Sequence, residues 1–182
     1  MIRVLLVDDH AVVRTGFRLL LQSLAGITVV AEADSGETAC QQYFELTPDV
    51  VVLDLAMPGM GGLEALRRIR AGQPEARVLA LSAHYDPMHA RRALREGAMG
   101  FLSKRSAPEA LVEAVTAVAG GRRYIDMSLA QELALAEIEG TAKPPIEQLS
   151  EREYEVFIRL ARGASVQKIA EDLKLSASTV GT

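Results

Sequence analysis

The chain has 182 residues, of which 49% are hydrophobic and 24% are charged, and its formal net charge is −4. This composition excludes a disordered chain, a collagen-like repeat and a disulfide-rich scaffold. The single cysteine, Cys40, excludes an internal disulfide and fits a reducing compartment. The small negative charge gives no overall attraction to nucleic acid or to an anionic membrane, although a local basic patch is compatible with it.

The N-terminus does not have the pattern of an export signal. The apolar run Ile2–Val7 ends at Asp8 and Asp9, which makes it too short for the core of a secretion signal. No stretch approaches the roughly 18 apolar residues that a membrane helix needs. We therefore expect a soluble, cytoplasmic protein with no membrane partner.

Short apolar runs alternate with amphipathic segments through the first 120 residues and predict five strands. These runs are Ile2–Val7, Ile27–Ala33, Val50–Leu53, Val78–Leu81 and Met99–Leu102. The third run is apolar at every position, which is typical of a parallel strand covered on both faces. The βα repeats predict an α/β fold, a flavodoxin-like doubly wound five-stranded parallel sheet with the strand order 2-1-3-4-5.

The first helix is predicted from apolar residues at helical spacing. The residues that share one of its faces are Val13, Phe17, Leu20 and Leu24.

Beyond Gly120 the pattern becomes all-helical. Residues 128–137 predict one helix, residues 140–145 predict a linker because paired prolines stop a helix, and helices resume after Leu149. Residues 165–173 predict a short helix, and Ser176 would cap a further one. We therefore divide the chain into residues 1–120, a linker with one helix at 121–148, and a partial all-α domain at 149–182.

Acidic residues follow two of the predicted strands. Asp8 and Asp9 come after the first strand, and Asp54 comes after the third. In the expected order these strands are neighbours at the point where the strand order reverses, and doubly wound sheets bind ligands there. Converging carboxylates favour a hard divalent cation, and Mg²⁺ suits such an all-oxygen set.

A hydroxyl and a cation complete this edge of the predicted sheet. Ser82 follows the fourth strand and Lys104 follows the fifth. A carboxylate nucleophile, a metal ion, a hydroxyl and an ammonium group together predict a site that accepts a phosphoryl group. Because single acidic residues after strands are common, the prediction depends on the whole set; His10 and His89 are interpreted as helix-surface residues.

Residues 1–120 resemble the receiver domain of a two-component response regulator. The resemblance is carried by these strand-end residues, by the segment VVLDLAMPGMGG and by the segment GFLSK. The resemblance implies that Asp54 is the phosphoacceptor. It implies that Asp9 binds Mg²⁺ directly and Asp8 helps through water, with Asp54 and the backbone carbonyl of Ala56 as further ligands.

The same resemblance assigns roles around the phosphoryl group. Ser82 and Lys104 would contact its oxygens, and Phe101 would change rotamer as Ser82 is drawn in. Ala56 and His84 stand at positions that tune dephosphorylation in this family. An apolar Ala56 cannot orient an attacking water, so we expect slow loss of the phosphoryl group.

Residues 149–182 resemble the start of a LuxR-type helix-turn-helix, through LSERE at 149–153, the Gly163 turn, IAE at 169–171 and the segment LSASTV at 175–180. Together with the receiver this is the layout of the NarL/FixJ family, and the first domain and linker, through residues 120–135, most resemble the GacA/UvrY branch. The second helix of such a pair reads the major groove. The resemblance therefore implies DNA contacts by Ser176, Ser178, Thr179, Gly181 and Thr182. Since the chain stops inside this helix, we expect the native protein to continue.

The function predicted from the whole chain is that of a response regulator that controls transcription. A sensor histidine kinase would phosphorylate Asp54, and the modified protein would form a homodimer and bind DNA through its complete output domain. Phosphotransfer and autodephosphorylation would be self-catalysed, without turnover of a substrate. The alternative is a receiver that signals only through protein contacts. A phosphohydrolase is disfavoured because no acid closely follows Asp54, and a dinucleotide site because the first strand lacks G-x-G-x-x-G.

Overall fold

A computed structural model of the protein describes residues 1–83, 87–106, 108–138, 151–161, 164–173 and 175–176. The strands are β1 (Ile2–Val7), β2 (Ile27–Ala33), β3 (Val50–Asp54), β4 (Val78–Ser82), β5 (Gly100–Ser103) and β6 (Tyr124–Ile125). The helices are α1 (Ala11–Gln22), α2 (Gly36–Leu46), α3 (Gly62–Gly72), α4 (Pro87–Arg95), α5 (Pro108–Ala119), α6 (Met127–Ile138), α7 (Glu151–Ala161) and α8 (Val166–Asp172).

All of these strands belong to one parallel sheet with the order β2-β1-β3-β4-β5-β6. The predicted fold and the order of its five strands are confirmed, but the described sheet has six strands. The additional strand, β6, pairs Tyr124 with Gly100 and Ile125 with Phe101. Two residues are too few to produce a periodic pattern, so only the free edge of β5 makes this segment a strand.

The sheet is covered on both faces because successive residues of a strand point to opposite sides. In β1, Leu5 and Val7 face the core that α2, α3, α4 and α6 cover, whereas Val4 and Leu6 face the core under α1 and α5. All four side chains are fully buried. This burial on both sides explains the continuous apolar runs of the sequence.

Helix α1 ends earlier than its apolar pattern indicates. Phe17 and Leu20 pack against the core as expected, but the fully buried residue is Leu21. The hydroxyl of Ser23 donates to the carbonyl of Leu20 at 2.7 Å and stands at the helix C-cap. Leu24 therefore lies outside the helix and is 39% exposed, so its assignment to the buried face was wrong.

Helix α6 packs with the sheet. The chain divides into two units, Met1–Glu139 and Gly140–Thr182, and α6 belongs to the first. Leu129 is fully buried in the core between the sheet and α4, with Leu133 packed beside it. The Asp126 carboxylate accepts the backbone N–H of Leu129 at 2.9 Å and stabilises the start of the helix.

The predicted helix at 128–137 is thus confirmed, but packing places it with the sheet although sequence patterns assigned it to a linker. The predicted linker at 140–145 and the boundary at 148 lie outside the described residues.

The second unit contains α7 and α8. Ser165 caps α8 by accepting the backbone N–H of Lys168 at 3.2 Å. Ile169 is the fully buried centre of a small core, and Tyr154 on α7 is only 2% exposed. None of the helices in the described ranges combines the length and the apolar character of a membrane-spanning segment.

Candidate functional site

The acidic residues at the ends of β1 and β3 meet at one edge of the sheet. Asp8 directly follows β1, Asp54 is the last residue of β3, and the two strands are adjacent. Both side chains are buried, while the side chain of Asp9 is 24% exposed. Ligand atoms of Asp8, Asp9, Asp54 and His10 all lie within 4.8 Å of one another. The predicted convergence of the carboxylates is therefore present.

Lys104 brings a positive charge into this cluster from the end of β5. Its Nζ lies 2.6 Å from an Asp8 carboxylate oxygen and 2.7 Å from Asp54 Oδ2. Its backbone N–H donates to the carbonyl of Ser82 at 2.8 Å, which holds the residue beside β4. A buried carboxylate without a counter-charge costs several kcal/mol, so this ammonium stabilises the site.

Burial and charge act in opposite directions on the ionisable groups. Burial raises the pKa of the Asp54 carboxyl above its ordinary value, and the nearby Asp8 charge adds to this, whereas Lys104 and the Ala56 N–H at 3.1 Å oppose it. Burial alone would lower the pKa of Lys104, but the attraction of the two carboxylates outweighs burial and raises it. The lysine therefore keeps its charge between the two carboxylates.

The other receiver-type positions occupy neighbouring strand ends. Ser82 ends β4, is 2% exposed and pairs in register with Ser103 of β5. Phe101 is fully buried and lies in the core that α4 and α6 cover. The site thus has a polar rim at the strand ends, and Phe101 lies in the apolar core three residues before Lys104.

The loop after Asp54 is tightly folded against the strand. A side chain at Gly62 would overlap the carbonyl oxygen of Asp54, and one at Gly36 on α2 would overlap the carbonyl oxygen of Met60. The Met60 N–H also donates to the Glu37 carboxylate at 3.2 Å. These contacts fix the segment that carries Ala56 next to the carboxylate of Asp54.

Sequence reasoning missed two neighbours of the acidic cluster. His10 is 64% exposed, as expected of a surface residue, but its Nδ1 lies 2.8 Å from an Asp9 carboxylate oxygen. Arg14 on α1 donates from Nη1 to the backbone carbonyl of Asp8 at 2.5 Å. The signal for His10 was its position directly after the two aspartates. The signal for Arg14 was a basic residue in the first turn of the helix that follows them.

The predicted DNA contacts are mostly outside the described residues. Ser176 is described and exposed, whereas Ser178, Thr179, Gly181 and Thr182 are not described. His84, at the second position expected to tune dephosphorylation, is also not described. These assignments stay predictions.

Two family models match the chain. Residues 4–116 match the response regulator receiver domain, and residues 147–182 match the bacterial regulatory proteins of the luxR family. The first match covers the strand ends that form the acidic cluster, and the second covers α7 and α8.

Curated relatives match over the full chain. The response regulator UvrY of Escherichia coli K12 is 41% identical, and the alignment covers 100% of this chain and 84% of the relative. The response regulator GacA of Pseudomonas aeruginosa is 40% identical, with 100% and 86% covered.

Solved structures agree with these relatives. A LuxR-family two-component response regulator from Aurantimonas sp. SI85-9A1 is 43% identical with a TM-score of 0.73, covering 76% of this chain and 99% of that one. RcsB from Salmonella enterica serovar Typhimurium bound to the promoter rprA is 26% identical with a TM-score of 0.67, covering 99% and 87%. The chain therefore belongs to the two-component response regulators that combine a receiver domain with a LuxR-type DNA-binding domain, and it acts in transcriptional regulation.

Proposed function

We propose that Asp54 accepts a phosphoryl group from a sensor histidine kinase and that this modification controls DNA binding. The observation that carries the proposal is the buried Asp54 carboxylate, which the Lys104 ammonium contacts at 2.7 Å beside Asp8 and Asp9. An Asp54 oxygen would attack the phosphorus of a phosphohistidine, so that a P–O bond forms as the P–N bond breaks. Lys104 offers the positive charge that stabilises the transferred oxygens.

The donor set fits Mg²⁺. Carboxylates of Asp8, Asp9 and Asp54 supply hard oxygen ligands within 4.8 Å of one another, as this ion prefers. We assign direct binding to Asp9 and Asp54, binding through water to Asp8, and a further ligand to the Ala56 carbonyl. When bound, Mg²⁺ neutralises charge on the phosphoryl oxygens. The protein's own part is to hold the three carboxylates together, with Lys104 balancing their charge.

The signal would leave the site through β5. A phosphoryl group on Asp54 attracts Lys104 and the Ser82 hydroxyl, which lie at the ends of adjacent strands. Phe101 lies in β5, the strand that Lys104 directly follows. It pairs with Ile125 of β6 and shares a buried core with Leu129 of α6. Repacking of Phe101 would therefore be transmitted to β6 and α6.

The active form proposed here is a homodimer on DNA. A related structure contains two RcsB dimers bound to two parallel DNAs. On α1 of this chain, Val12 is 86% and Leu19 is 60% exposed, and a dimer would bury such apolar side chains. We retain the predicted DNA contacts and the sequence segments 1–120, 121–148 and 149–182 as part of this proposal, with the helix of the middle segment packed on the receiver sheet. The cytoplasm is the compartment in which such a regulator would meet its promoter.

Proteins of this family are regulators rather than turnover enzymes. The phosphotransfer and the later hydrolysis would be self-catalysed at Asp54. The methyl side chain of Ala56, next to this carboxylate, has no group that can orient a water for hydrolysis, which supports a long-lived phosphorylated state.

The proposal is tested by labelling the full chain with acetyl phosphate and MgCl₂ and measuring the intact mass. We expect the wild type to gain one phosphoryl group and Asp54→Asn to gain none. Asp34→Asn is the matched control, because Asp34 also follows a strand but is exposed and outside the acidic cluster. Stoichiometric labelling of Asp54→Asn would refute the assignment.

A further inference from the structure

Arg14 connects the loop after β1, which carries Asp8 and Asp9, to the neighbouring strand β2. Its Nη1 donates to the Asp8 carbonyl at 2.5 Å, and its Nε donates to the Glu32 carboxylate of β2 at 3.1 Å. Only 19% of the Arg14 side chain is exposed. One guanidinium thus joins the end of β1 to β2, and its planar fork suits such a double contact.

The carbonyl that Arg14 binds belongs to the peptide between Asp8 and Asp9. Because a peptide unit is planar, a fixed carbonyl oxygen also sets the direction in which the chain continues to Asp9. Two further bonds hold the loop on either side of this peptide. Before it, the Asp8 N–H donates to the Ala33 carbonyl at 3.1 Å, and after it, the His10 N–H donates to the Asp8 carboxylate at 2.8 Å. Arg14 therefore restrains the peptide that spaces the two candidate ligands.

Glu32 in turn anchors two arginines. Its second carboxylate oxygen lies 3.0 Å from Nε of Arg18, one turn further along α1. Arg18 consequently shares the charge and the anchor of Arg14 but stands a turn further from the loop. A comparison of Arg14 with Arg18 therefore separates the effect of a nearby positive charge from the effect of a hydrogen bond to the Asp8 carbonyl.

We propose that Arg14 is a positioning residue for the cation site and that it orients the Asp8–Asp9 peptide so that both carboxylates converge with Asp54. The inference rests on the proposed function in that Mg²⁺ is the cation. Loss of a positive charge near the site would by itself strengthen the attraction for Mg²⁺. Weaker binding after removal of Arg14 would therefore report lost positioning.

The test measures binding of MgCl₂ to the full-length chain by isothermal titration calorimetry. We expect Arg14→Ala to weaken Mg²⁺ binding about tenfold, as the loss of a residue that orients a metal ligand typically does. Arg18→Ala should stay within about twofold of the wild type. Arg14→Lys should recover part of the loss, because one ammonium reaches the carbonyl without also binding Glu32 in a fork.

A second measurement needs no metal. Amide hydrogen exchange at His10, followed in metal-free protein, should accelerate in Arg14→Ala and stay unchanged in Arg18→Ala. If Arg14→Ala does not fold, Arg14→Lys is compared with Arg18→Lys in both measurements.

The outcomes distinguish a failure of the positioning role of Arg14 from a failure of the proposed function. Unchanged Mg²⁺ affinity in Arg14→Ala, or equal losses in both alanine variants, would overturn the positioning role. A wild type that binds no Mg²⁺ would instead refute the metal part of the proposed function, and exchange at His10 would then decide whether Arg14 orders the loop. Phosphoryl labelling of Asp54→Asn concerns the proposed function alone.

Discussion

The carboxyl edge of the sheet and the core beneath β5 are both buried, but different forces hold them. At the edge, Asp8 and Asp54 are stabilised by a short contact with Lys104. Beneath β5, Phe101 and Leu129 are fully buried apolar residues in one core. The edge is stable only while its charges are balanced, whereas the core gains roughly 25 cal/mol for each Å² of apolar surface that is buried.

This difference would allow a change of charge at the edge to cause a rearrangement of the core. In the proposed function, a phosphoryl group added to Asp54 would change the electrostatics of the edge without removing any apolar contact. Because a close-packed core does not deform continuously, a displacement of β5 would favour a second discrete packing of that core. Strand β5 connects the two regions, because Phe101 lies within it and Lys104 directly follows it.

Removal of the charge balance should have the largest effect on stability. In metal-free protein, Lys104→Met should lower the free energy of unfolding by about 3–5 kcal/mol, because two buried carboxylates lose their partner. Urea unfolding with and without MgCl₂ measures this loss, and the cation should restore part of it. The double variant Lys104→Met, Asp8→Asn is the control and should be less destabilised; a loss as large as in the single variant would contradict the electrostatic explanation.

Loss of packing beneath β5 should have a slightly smaller effect that Mg²⁺ does not reverse. Leu129→Ala should cost about 2–4 kcal/mol in unfolding free energy, since it leaves a cavity in the core. Leu135→Ala on the same helix is the control, because Leu135 is 58% exposed and its loss should stay within about 0.5 kcal/mol. If the Leu129→Ala loss were recovered by MgCl₂, the edge and the core would not be separate.

The two regions also differ in how far sequence alone could locate them. Asp8 and Asp54 were predictable because parallel topology brings the carboxyl ends of adjacent strands together whatever the details of packing. Leu129 was predictable as a helical residue, but its docking depends on α4 and β5, which no local pattern encodes. Arg14 was not identified because an arginine in a first helical turn usually lies in solvent. Leu24 was misassigned because its apolar spacing continues past Ser23, where the helix ends.

A substitution that weakens dimerisation should leave both the carboxyl edge of the sheet and the core beneath β5 unchanged. Leu19→Glu places a charge on the exposed apolar face of α1, and we expect it to weaken phosphorylation-dependent dimerisation about tenfold while labelling of Asp54 continues. Sedimentation velocity with acetyl phosphate measures the dimer. Leu135→Glu introduces the same charge on α6 and is the control. Equal weakening by both variants would indicate a general effect of charge and not a dimer face on α1.

The smallest expected effect is a change in the rate of phosphoryl hydrolysis at the carboxyl edge. Ala56 is half-buried, and its N–H donates to the Asp54 carboxylate at 3.1 Å. Ala56→Asn adds an amide that can hydrogen-bond a water beside the acyl phosphate, so we expect hydrolysis several-fold faster than in the wild type, whose phosphoryl half-life should be minutes or longer. Phosphate-affinity gel electrophoresis after removal of acetyl phosphate follows this decay. A wild-type half-life of seconds would contradict the role given to Ala56. Because the substitution leaves Phe101 and Leu129 untouched, the free energy of unfolding should be unchanged. That result would show that residues at the edge, and not the core, set the lifetime of the phosphoryl group.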